Sequence, residues 1–158
     1  MKYLMVCVLL LAGDLVGQVG SRKSLQSQLT SELMALQHAD RDTVQATDEL
    51  TSTLMASSEA DHRPSRAAVA VFARELTKIL SGRELPAAAA NQVATNVIGV
   101  LHSAGTGTSE FRQLISRFEK TLAGVGLSAA AAQRVAAKLT NLGKEVRGPQ
   151  DTPLLPLR

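Results

Sequence analysis

The side chains that could do chemistry are few and scattered. Three histidines occur, His38, His62 and His102, in three different segments, and none has a His or Cys three or four residues away. His38 has Asp42 four residues on and His62 adjoins Asp61, so each gathers at most two neighbouring donors. A metal site needs three or four converging ligands and an outer shell that orients them. All three histidines are therefore expected at the surface, and no metal ligand is assigned. The carboxylate pairs Asp40/Asp42 and Asp48/Glu49 could divide acid and base roles only if one carboxyl were held in a shaped, partly dry pocket. They fall on the most polar stretch of the chain and read as a solvated face. Serine and threonine are plentiful, yet no Gly-x-Ser-x-Gly elbow occurs. Gly105-Thr106-Gly107 lacks the Gly-Lys-Ser/Thr ending and the preceding strand of a phosphate-cradling loop. No catalytic residue, no cofactor-binding residue and no cofactor is expected.

Composition narrows the classes further. The 158 residues are 45% hydrophobic and carry a net charge of +3, with one Cys, one Tyr and no Trp. Such a chain can build a core, but it cannot be a disulfide-stapled scaffold, a Cys-rich zinc module or an aromatic stacking platform. Arg63, Arg66, Arg74, Lys78 and Arg83 against Glu75 give a local surplus of +4. A nucleic-acid footprint would be denser and interleaved with aromatics. Phe72 is the only aromatic nearby and its spacing places it in the core, so nucleic acid is not an expected partner. An anionic surface, such as lipid headgroups or an acidic envelope polymer, is the alternative use of that charge. No small-molecule substrate is evident.

Two terminal segments stand apart from the body. Tyr3 to Gly13 is an uninterrupted run of 11 apolar or small residues behind Lys2, closed by Asp14. A secretory apolar region is about 7–15 residues long and a spanning helix needs about 20. Extending the run through Leu15–Gly20 would put the Asp14 carboxylate inside a membrane, which is costly. Residues 1–21 are therefore expected to be a cleaved signal peptide, with an uncleaved N-terminal anchor as the alternative. Cys7 reads as a small apolar member of that run. At the other end, residues 148–158 hold three prolines, and Pro153-Leu-Leu-Pro156 has polyproline-II spacing. That tail is expected to be flexible.

The body carries helical periodicity throughout. Residues 22–60 contain neither Gly nor Pro. Leu25, Leu29, Leu33 and Leu36 make one stripe, and Val44, Thr47, Leu50 and Leu54 make another after a break at Asp40-Arg41-Asp42. Asp42 and Gln45 have capping-box spacing. The stripe is narrow, so the segment must pack on its own domain or pair with another chain. The former is favoured because no strict heptad persists. Residues 61–66 form a linker around Pro64. Four helices follow within 67–147, with inward faces at Val69, Phe72, Ala73, Leu76, Ile79 and Leu80; Val93, Val97, Val100 and Leu101; Phe111, Leu114, Ile115, Phe118 and Leu122; and Val135, Leu139 and Leu142.

These helices repeat at an offset of 42 residues. Lys78–Ala94 and Lys120–Ala136 share ten of 17 positions, four of them in the alanine quartets 87–90 and 129–132. Gly82 and Gly124 are expected to stop one helix of each unit, and Pro86 and Ser128 to start the next, Pro86 as its first residue. The units, about 68–105 and 110–147, each read as a helical hairpin with antiparallel neighbours. The alanines should form a close helix seam that Ala89→Leu or Ala131→Leu would overpack.

The expected architecture is all-α: two tandem antiparallel helical hairpins forming a four-helix core, preceded by a polar N-terminal helical segment. The expected role is a small exported protein, not an enzyme, that binds another envelope protein or serves as a structural component of the envelope. Membrane association through the N-terminal segment or a basic face is the second reading, and an enzyme with no recognisable site the third.

Overall fold

A computed structural model describes residues 22–38, 42–58, 63–103 and 107–146. The signal-peptide or anchor segment 1–21 with Cys7, the residues Asp40, Asp61 and His62, the Gly105-Thr106 pair and the tail 148–158 lie outside the described residues. Among those described there are six helices and no strand. They are α1 (22–35), α2 (Thr43–Ser57), α3 (Arg66–Leu80), α4 (Ala87–His102), α5 (Ser109–Gly124) and α6 (Ala129–Glu145). None is long and apolar enough to cross a membrane.

Leucine spacing builds α1, and its stripe closes on the chain's own core: Leu29, Leu33 and Leu36 are fully buried. The helix tightens at its end, where the N–H groups of Leu36, Gln37 and His38 each donate to the carbonyl three residues back. The Leu36 carbonyl then accepts from the Gly82 N–H at 3.1 Å. This ties α1 to the turn after α3.

The N-terminus of α2 is capped by Asp42, whose carboxylate accepts from the Val44 N–H at 2.8 Å. The expected reciprocal half of a capping box does not form, because the Gln45 amide donates to Glu49 instead, at 2.9 Å. Val44 is not part of the inward stripe either; it is 68% exposed. The buried face is wider and more polar than the stripe implied, running through Ala46, Thr47, Leu50, Thr51, Thr53, Leu54 and Ser57. Burying a hydroxyl is costly unless it is bonded. Here Thr47, Thr51 and Ser57 each return theirs to the carbonyl four residues back, at 2.7–2.8 Å.

Each helix of the repeat region opens on a recognisable cap. Ser65, Thr108 and Ser128 accept from the N–H three residues on. The first residue of α3 is Arg66, where the apolar periodicity after the linker begins. Pro86 is the N-cap of α4 rather than its first residue. Its side chain makes no cap bond, but its carbonyl accepts from Ala90 as that of Ser128 accepts from Ala132. The helix stops are unequal. Gly82 takes a left-handed φ of 69° two residues past α3, whereas Gly124 is the last residue of α5 and the left-handed turn falls on Gly126, at φ 82°. A side chain at positive φ is disfavoured, so the second unit places its break at its second glycine.

The helices pack as a bundle of hairpins. Their pairing is distributed unevenly. The α4–α5 and α2–α3 contacts are the most extensive, followed by α5–α6 and α3–α6. The α3 and α4 helices, although joined by a short connection, scarcely touch. So α5 and α6 are antiparallel neighbours as the repeat implies, while α3 takes α2 and α6 instead. Ser65 donates to Glu145 at 2.8 Å, and Arg134 lies 3.7 Å from Glu75, which fixes α3 and α6 antiparallel. Phe72 and Phe118, from the two repeat units, meet at the centre with ring centroids 6.2 Å apart and planes tilted by 44°. Corresponding residues share one fate: Leu80 and Leu122, Leu85 and Leu127, Val93 and Val135, Val97 and Leu139 are all buried. In the quartets the buried alanines are Ala90 and Ala132, followed one turn on by Ala94 and Ala136, while Ala89 and Ala131 are only half-buried. The seam is internal and sits one residue later than the repeat suggested.

Candidate functional site

The α1–α2 pair opens a groove of about 630 Å³ on the surface. One face of α1 supplies Gln28 and Glu32; one face of α2 supplies Gln45, Asp48, Glu49 and Ser52, with Asp42 at its cap and Val44 and Ala56 as apolar patches. Positions 45, 48, 49 and 52 recur at helical spacing, so they line one side. Four carboxylates therefore border the groove, and among the described residues no basic side chain does. This is notable on a chain whose net charge is +3.

Besides Asp42, which caps α2, two of those carboxylates are held in place. Glu32 Oε1 accepts from Thr53 Oγ1 at 2.7 Å and from the Gln28 amide at 3.1 Å. Its other oxygen, Oε2, is buried and has no partner among the described residues. An acceptor left so costs about 1–3 kcal/mol, more when charged, until a donor arrives. Glu49 is steadied by Gln45.

Of the residues singled out in the sequence, Asp42, Asp48 and Glu49 do come together here, joined by Glu32, which no local pattern marks out. His38 is exposed beyond α1, and His102 is half-buried in the last turn of α4. No three His, Cys, Asp or Glu side chains among the described residues could together hold a metal ion.

The basic run is dispersed. All five of its members are exposed. Arg83 donates to the Gly126 carbonyl at 3.3 Å, joining the two repeat turns. Glu75, counted against the run, faces Arg134 of α6. Only Arg74 and Lys78 are brought to one place, a cleft of about 510 Å³ between α2 and α3. Thr77, 2% exposed, lines the same cleft, and its hydroxyl is buried with no partner among the described residues.

Compared with family models, with curated proteins and with solved structures, the chain gives no match to any of the three.

Proposed function

We propose that this chain is a small exported helical module that works without catalysis, by binding another protein of the cell envelope, and that the α1–α2 groove receives a lysine- and arginine-rich segment of that partner. One observation carries the reading: four carboxylates and the exposed Val44 border a single open groove. Charge of one sign along a groove draws in and orients a partner of the opposite sign. Val44 and Ala56 add apolar surface that a partner side chain can cover. Export rests on the 11-residue apolar run behind Lys2.

The test is fluorescence anisotropy of a labelled peptide in which Lys and Arg alternate with Leu, beside the same peptide with Glu in place of each base. The full chain should bind the basic peptide only, and Asp48→Asn and Glu49→Gln should each weaken it by roughly 1.5- to 5-fold, the range of exposed charge pairs. Equal binding of both peptides, or none of either, refutes the groove's role. For export, the intact mass of the protein from fractionated cells should lack about 17–21 residues, as cleavage after a short apolar region requires.

A further inference from the structure

Val44 and Asp48 form a ridge on α2 that borders the acidic groove on one side and the α2–α3 cleft on the other. The cleft has the opposite chemistry. Arg74 and Lys78, one turn apart on α3, both line it, are exposed, and are engaged by no other side chain among the described residues. Thr77 lies between them, 2% exposed. A helical threonine commonly returns its hydroxyl to the carbonyl four residues back, as Thr47 and Thr51 do in the facing helix. Thr77 does not, and its hydroxyl has no partner among the described residues. The opposite wall is Thr43, Val44, Thr47 and Asp48 in the first two turns of α2, whose N-terminus is already capped by the Asp42 carboxylate. Asp48 is the one opposing charge among the described residues that line the cleft.

We propose that the α2–α3 cleft binds a phosphate group. Arg74 and Lys78 meet its charge, and the Thr77 hydroxyl donates to one of its oxygens from the cleft wall. Two cations and a hydroxyl donor converging on one volume suit a group with several charged oxygens better than a single carboxylate. The cleft is larger than a bare phosphate ion, so the group arrives on a carrier, either a soluble phosphate ester or a lipid headgroup. This inference is independent of the acidic groove and of what docks there.

The test titrates the full chain with inorganic phosphate at low salt, followed by amide chemical shifts. Saturable shifts are expected at residues 43–48 and 74–81. Arg74→Ala and Lys78→Ala, both at exposed positions, should each weaken binding about tenfold, the loss expected for one charge-assisted hydrogen bond. Thr77→Val keeps the shape, and it should weaken phosphate binding while raising the melting temperature, since it removes an unpaired buried hydroxyl. A purely structural threonine would raise the melting temperature and leave affinity unchanged, and that result would remove Thr77 from the site. Asp48→Asn should tighten binding. A second arm measures cosedimentation with phosphatidylglycerol vesicles against phosphatidylcholine vesicles. Vesicle binding lost in the Arg74→Ala/Lys78→Ala double variant supports the site with a lipid headgroup as carrier; phosphate binding without vesicle binding supports it with a soluble ester. Absence of saturable phosphate shifts, or phosphate binding unchanged in the double variant, overturns the proposal.

Discussion

Gly143→Ala tests how closely α6 approaches its neighbours. Gly143 is the last of the buried residues of α6, in its final turn. A Cβ placed there would lie 2.6 and 2.9 Å from two ring carbons of Phe111 and 3.0 Å from a methyl of Val100. Phe111 is 2% exposed and Val100 fully buried, so neither can step aside without moving its own helix. Overpacking of this kind costs about 1–3 kcal/mol. Against that, alanine gains about 1 kcal/mol over glycine inside a helix. With three contacts at or below 3.0 Å the upper part of the packing range applies, and the net loss is about 1–2 kcal/mol. For a chain of this size that lowers the melting temperature by roughly 3–8 °C.

Gly99→Ala in α4 is the built-in control. Its Cβ would meet only the terminal carbons of Leu114, at 2.9 and 3.2 Å, and Leu114 is half-buried with room to rotate. The helix gain should then match or exceed the packing cost and leave stability within about 0.5 kcal/mol of the starting protein. Thermal unfolding by far-UV circular dichroism reads both. A Gly143→Ala protein as stable as the original would show that α5 and α6 are not in the register described.

Four further outcomes are expected in the same assay. Gly124→Ala should stabilise by up to about 1 kcal/mol, because the residue is helical and a Cβ meets nothing within 4 Å. Gly126→Ala should destabilise by about 1–2 kcal/mol because it forces a side chain to φ 82°; a reversed order would restore Gly124 as the helix stop. Ala90→Leu and Ala132→Leu should each cost about 1–3 kcal/mol, while the same change at the exposed Ala88 or Ala130 should be near neutral, which locates the seam. Asp42→Ala should cost about 1 kcal/mol through the lost cap of α2.

Residues whose type and spacing agree were readable in advance. The inward faces of α4 and α6, and Phe111, Phe118 and Leu122 of α5, are buried as their periodicity requires. The N-cap Ser128 follows from a short polar side chain ahead of an apolar run, whereas Ser65, at the end of a polar stretch, is not marked as a cap by the sequence and is one in the structure. What escaped reading has definite causes. The buried face of α2 is written in Thr and Ser, whose polarity reads as solvent exposure unless their return bonds to the backbone are seen. The two glycines of the 124–126 turn are equivalent by residue type, and only the backbone tells which one is left-handed. The 42-residue repeat relates residues within each unit but is silent on which helices become neighbours. That depends on α2 occupying the side of α3, a choice made by long-range packing.

The candidate site was legible only in half. Asp42, Asp48 and Glu49 share a polar helix face, which periodicity makes plain. Glu32 joins them because α1 and α2 run side by side, and no local pattern in α1 announces it. The basic run reads chiefly as solubilising charge, and its members are spread over α3 and its flanks; only Arg74 and Lys78, four apart, converge on the α2–α3 cleft.

The most direct test of the groove is the basic-peptide titration carried out across salt, on the original protein and on a variant combining Asp48→Asn, Glu49→Gln and Val44→Ser. Docking in the groove requires binding that weakens steeply with salt and falls at least about tenfold in the variant, the sum of several modest charge pairs and one apolar contact. Binding that is equally tight in the variant, or indifferent to salt, would place the partner elsewhere and contradict the proposed function.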